Sequence, residues 1–211
     1  FQNVPGLAFD GGCFPDNNRD LTANATADEI EKELRAQIAR AELLGLKYTH
    51  FDSHMWSVFE KPEYTEIYVK LALEKHVPIR LVAGVPGGYA AADHKMTLAC
   101  QPHIQRVWDA GLVVLDDMQT RNYGWKTTDK LDLYIDDIRN TKPGITEFVV
   151  HPTHPGEEID EITGKRITLY GDYFALTHPR ILEVIQEEGI ILASWRDLQA
   201  KRDAQMKQAK A

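Results

Sequence analysis

The sequence predicts an α/β protein built from parallel βα units, and three observations carry this. Stretches with apolar residues at helical spacing alternate with short apolar runs bounded by Gly or Pro. Five such runs recur at intervals of roughly 30–45 residues, the spacing that strand–helix–strand crossovers need. Ionisable residues gather just after those runs, where parallel α/β folds keep their chemistry.

The elements follow in order. "NATADEIEKELRAQIARAELLG" opens a helix: Thr26 and Glu29 fit a capping box, Ile30, Leu34, Ile38 and Ala41 share a face, and Gly45 ends it. "LKYTHFDS" is the first strand candidate. "KPEYTEIYVKLALEKH" is a helix with Pro62 in its first turn, and "VPIRLVAG" a strand between Pro78 and Gly84. "CQPHIQRVWDAG" is helical up to Gly111, and "LVVLDD" is a strand. "TTDKLDLYIDDIRN" is a helix with Leu131, Tyr134, Ile135 and Ile138 on one face, and "ITEFVVHP" a strand. "THPRILEVIQEEG" is a helix capped by Thr177, "IILASW" a strand, and a polar helix from about Arg196 ends the chain. No linker or low-complexity stretch interrupts residues 1–211, so one domain is expected. The first regular element is a helix, and five strands are too few to close a βα barrel. That leaves an open sheet or a chain that starts partway through a larger domain.

Composition narrows the function classes. The formal net charge of −8 disfavours a nucleic-acid partner, which needs clustered Lys and Arg. No apolar run approaches the roughly 18 residues of a membrane helix, so no membrane partner is expected. The opening "FQNVPGLAFDGG" lacks the basic start and apolar run of a signal peptide, which favours the cytoplasm. Without an initiator methionine, export stays open. Cys13 and Cys100 are far apart and read as free, buried thiols.

Residues after the strand candidates form the candidate site. Asp52 and His54 follow the first, in "THFDSHMW"; Asp116 and Asp117 the third; His151 and His154 the fourth; Trp195 and Arg196 the last. A histidine past a strand end, beside an aspartate able to orient its ring, suits a divalent metal. A hydrogen-bonded turn histidine is the plain alternative. His50 points along the strand and reads as structural. His151, after "FVV" and before Pro152, suits a general acid or a ligand; a loop histidine fixed between prolines is the alternative. The Asp116–Asp117 pair could supply a carboxylate or only turn chemistry. His76, His94, His103 and His178 read as surface or capping residues, and "GVPGGY" (84–89) as a flexible loop.

"ELRAQIARAELLGLKYTHFDSHM", "EFVVHPTHPG" and "HPRILEVIQEEGIILASWRDL" together resemble the YdjC-like carbohydrate deacetylase family, which includes chitooligosaccharide deacetylases. The resemblance runs from about residue 25 to 198. It implies a parallel (β/α) barrel-like fold, with about five βα units here and the barrel incomplete. It implies a metal-dependent hydrolase that removes N-acetyl groups from amino-sugar oligosaccharides or polysaccharides. Zinc or magnesium would be held by an aspartate and two histidines, of which His54 is one, and His151 would be the catalytic acid. Asp52, Trp56 and His154 would support substrate or the imidazoles, and the partner would be an N-acetylated sugar, with homodimer formation open. Two departures stand out. Trp56 replaces the second histidine of the common DSHxH pattern, so a sugar ring stacked on Trp56 or plain packing is expected there. The family's early Asp-Asp pair and "HLT"-type histidine have no counterpart, and "LDDM" comes in the wrong order to replace them. The chain is therefore expected to correspond to the C-terminal two-thirds of a deacetylase barrel. Two competing functions are a catalytically inactive carbohydrate-binding or scaffold protein and a self-contained hydrolase site of Asp117, His54 and His151.

Overall fold

The computed structural model describes residues 4–8, 12–90 and 95–209; His94 lies outside them. The described helices are α1 (Asn18–Asn24), α2 (Ala27–Leu43), α3 (Pro62–Lys75), α4 (Lys95–Asp109), α5 (Leu131–Arg139), α6 (Glu157–Ile162), α7 (Arg166–Leu176), α8 (Pro179–Glu187) and α9 (Trp195–Gln208). Two strands, β1 (Asp117–Gln119) and β2 (Thr146–Phe148), pair in parallel with Asp117 opposite Thr146. Backbone proximity divides the chain into two compact units. One holds Phe1–Ala83, Asp93–Val114 and Ser194–Ala211; the other holds Gly84–Ala92 and Leu115–Ala193.

In the first unit the start of α2 is fixed as expected. The Thr26 hydroxyl accepts from the Glu29 N–H, and the Glu29 carboxylate accepts from the Thr26 N–H, so two orphan helix-end donors are satisfied. The same carboxylate accepts from Gly6 N–H at 2.7 Å and ties down the turn Pro5–Leu7. Val4, Leu7, Ala25, Ile30 and Tyr64 bury together there. α3 begins at Pro62, whose missing N–H is harmless in a first turn. Its Tyr68 hydroxyl donates to the Phe51 carbonyl at 2.6 Å. Phe51 in turn forms a parallel bridge to Ile79. The strand candidate that ends in "DSH" is thereby held against α3. Helix α9 is joined to this unit by the Gln199 amide, which donates to the Gly111 carbonyl and accepts from Val113 N–H.

In the second unit, Tyr134, Ile135, Ile138, Ala175, Ile181 and Val184 from α5, α7 and α8 form the core, with Phe148 and Val150 packed on it. The Asp117 carboxylate is buried and accepts from the N–H groups of Tyr89, Ala90 and Met118. A Cβ on Gly88 would meet that carboxylate at 2.6 Å, so the backbone can come this close only as glycine. The segment read as a flexible loop is thus clasped through residues 88–90.

The α/β class and the parallel pairing agree with the sequence, but the sheet is small. Among the described residues, β1–β2 is the one extended ladder, and isolated bridge positions stand at Phe51 and Ile79, which pair, and at Val82 and Leu115. A single hydrogen bond also runs from Gly84 N–H to Asp116 O at 3.1 Å. Within "VPIRLVAG", Leu81 N–H turns back to Ile79 O at 2.8 Å, between the bridge residues Ile79 and Val82. The expected strand 190–195 is not one. Ser194 and Asp197 form a second capping box, so Trp195 and Arg196 open α9 instead of ending a strand. Thr177 does not cap α8 either: it closes α7, and His178 Nδ1 accepts from Arg180 N–H as the true cap. Helices α1, α6 and α7 are additional to those the sequence predicts. His103 is buried, and Cys13 is exposed while Cys100 is buried.

Candidate functional site

His54 begins the short 3-10 stretch His54–Phe59 and is exposed. The next two residues, Met55 and Trp56, have φ of 51° and 64°, a left-handed region that residues with a Cβ rarely enter. The surroundings hold this strained turn. Asn18 of α1 donates to the Met55 carbonyl at 2.8 Å and to the Glu60 carboxylate at 3.1 Å. Ser53 Oγ accepts from Val58 N–H at 3.3 Å. The turn projects His54 into a cleft of about 270 Å³ lined by Asp52, Ser53, His54 and Met55 together with Phe14, Asn18, Leu34 and Tyr68. Asp52 also lines it, and its carboxylate pairs with Arg80 at 2.9 Å. Arg80 lies 5.7 Å over the Trp56 ring, which packs at 6.0 Å from Phe59. His50 stacks on Trp195, with ring centroids 5.0 Å apart and planes 13° apart.

His151 stands just beyond β2 and is exposed. Its Nε2 lies 3.2 Å from the Tyr123 hydroxyl, and the two rings are 5.1 Å apart. Its backbone N–H donates to Asp172 Oδ2 at 3.2 Å. Asp172 and Lys130 form a buried ion pair, Nζ to Oδ1 at 2.7 Å. The remaining valences are filled. Asn122 Nδ2 donates to Oδ2 and the Tyr134 hydroxyl to Oδ1, while Lys130 also donates to the carbonyls of Asn122 and Thr168. Burial, with the Asp172 carboxylate second, holds the Tyr134 phenol protonated far above its ordinary range. His154 is exposed, lies 2.7 Å from the Pro155 carbonyl through Nδ1, and sits edge-on to Tyr173. Burial pushes the Cys100 thiol up to about 11, which leaves it inert as a nucleophile.

Residues 1–187 match the family model described as YdjC-like protein. The chain belongs to the YdjC-like protein family. A protein of Thermus thermophilus named carbohydrate deacetylase is 31% identical over 187 residues, which is 86% of this chain and 64% of that protein. A carbohydrate deacetylase of Brevibacillus brevis is 44% identical over 79 residues, 37% of this chain and 31% of that one. A crystal structure from Enterococcus faecalis, of a protein named for cellobiose-phosphate cleavage, superposes with a TM-score of 0.70 at 21% identity. That overlap covers 92% of this chain and 69% of the other, and it shows the shared fold. The chain thus spans 64% of the length of its Thermus relative.

For this YdjC-like chain the donor set decides how far metal chemistry can be built. A catalytic divalent ion wants about three protein ligands. Among the described residues no three His, Cys, Asp or Glu side chains converge on one point. Asp52 beside His54 is engaged by Arg80. The described residues therefore do not by themselves fit such an ion. Both Asp117 oxygens are taken by backbone N–H groups and Asp116 Oδ2 by Ile145 N–H, so this pair does turn chemistry. Sequence reasoning missed Tyr123 and Asp172. Tyr123 has no pattern to mark it, and Asp172 lies in a helix that was not foreseen. The one available signal was a charged residue inside the apolar run "ITLYGDYFAL", since buried carboxylates need partners.

Proposed function

We propose that this chain belongs to a hydrolase that removes N-acetyl groups from amino-sugar oligosaccharides. The reading is carried by one observation: over 187 residues the chain is 31% identical to a protein named carbohydrate deacetylase. The exposed, braced imidazole of His151 supports it. Hydrolysis adds water across the amide, breaks the C–N bond and releases acetate and an amine. The amine leaves poorly as an anion, so a proton must reach its nitrogen as the bond breaks. In this proposal the charged ring of His151 gives that proton and is left neutral. His54, in its cleft, is proposed to contribute one ligand to a divalent ion, zinc or magnesium, for which the described residues do not supply a full ligand set. Asp52, paired with Arg80, shapes the cleft wall, and Trp56 and His154 are proposed to face the sugar.

The test is acetate and free-amine release from di-N-acetylchitobiose by the purified chain, with zinc or magnesium added in turn. Acetate and amine in equal amounts, lost in His54→Ala, are expected. Cleavage between the sugars without acetate release would contradict the proposal.

A further inference from the structure

Asp172 Oδ2 accepts two hydrogen bonds, one from the Asn122 side chain and one from the His151 backbone. The two donors belong to separate segments, and the side chain following Asn122, Tyr123, meets the side chain of His151 itself at 3.2 Å. One buried carboxylate therefore sets the spacing of an exposed pair. We infer that Tyr123 and Asp172 are positioning residues for the reaction, with Tyr123 occupying Nε2 of His151 so that Nδ1 is the nitrogen that gives up its proton. The inference rests on the acid role proposed for His151.

The chemistry follows from the inventory of the two rings. A charged imidazole has two N–H donors. With Nε2–H directed at the Tyr123 oxygen, one mobile proton remains, on Nδ1. After transfer to the leaving amine, the neutral ring keeps Nε2–H and its hydrogen bond to Tyr123, so the ring need not turn over between cycles.

The frame is rigid for reasons that can be named. Lys130 and Asp172 side chains are 0% and 1% exposed, and every polar atom of the pair has a partner given above. A Cβ on Gly171 would meet the Thr127 carbonyl oxygen and the Lys130 chain, so α7 approaches this closely only through glycine. The charged groups behind the His151 backbone are Asp172 of α7 and Lys130 just before α5; Tyr123 faces the ring itself; His154 is turned to its Pro155 carbonyl.

The test uses Tyr123→Phe, which keeps the ring contact and removes only the hydroxyl. Tyr123 is 49% exposed, so the fold is expected to survive. Nitrogen-15 NMR of the His151 ring is expected to show Nε2 protonated in the neutral parent protein. In Tyr123→Phe the neutral ring should exchange between tautomers. With di-N-acetylchitobiose, kcat should fall about tenfold with KM little changed. Asp172→Asn should give the same NMR change where it folds. An unchanged ring tautomer in Tyr123→Phe would overturn the inference. The NMR arm does not depend on turnover: a protein that shows the ring behaviour without deacetylation keeps the pair and loses the functional proposal.

Discussion

At the scale of single residues, the buried Lys130–Asp172 ion pair decides how His151 and Tyr123 are held. Removing one partner of such a pair leaves an uncompensated charge in the interior, at a cost of roughly 3–5 kcal/mol. Lys130→Met should therefore destabilise the protein by about that amount, measured by urea unfolding, and should free the His151 loop. The double change Lys130→Met with Asp172→Leu should recover part of the loss, because it removes both charges. His54 differs in kind. Its neighbours strain the backbone at Met55 and Trp56, a device often found where a side chain must be aimed. The sequence revealed His54 and His151 because both follow apolar runs. It concealed Tyr123 and Asp172, whose importance comes from contacts between segments far apart in the chain. It also left open what Asp52 touches, since Arg80 lies 28 residues away on another segment.

At the scale of elements, local rules held where chemistry is local and failed where tertiary contacts decide. The α2 capping box and the Pro62 start are contained within four residues each, and both were legible. The 190–195 segment looked like a strand by its apolar run, but the following Ser-x-x-Asp box draws residue 195 into a helix. Thr26→Ala should weaken α2 by roughly 1 kcal/mol, seen as a lower urea midpoint. Glu29 adds a pH dependence of known sign. The Gly6 N–H, followed by the Thr26 N–H and hydroxyl, holds its carboxyl below the usual carboxylate range. That stabilisation is present above the unfolded value of about 4.3 and is lost as pH falls through the lower folded value. The melting temperatures of the parent protein and Glu29→Gln should therefore differ at neutral pH and converge in acid.

At the scale of the whole molecule, the alternation of helices and apolar runs identified the α/β class, and the family match over residues 1–187 agrees with the resemblance read from three segments. The extent of the sheet was not legible, because apolar runs such as Leu112–Leu115 mark burial without specifying ladder bonds. His151, braced by Tyr123 and Asp172, is proposed to protonate the amine as an N-acetyl group is hydrolysed. The rate of acetate release from di-N-acetylchitobiose at neutral pH, compared between the parent protein and His151→Gln, is the direct test. His151→Gln should be slower by about a hundredfold or more. Equal rates in the two proteins would contradict the proposal.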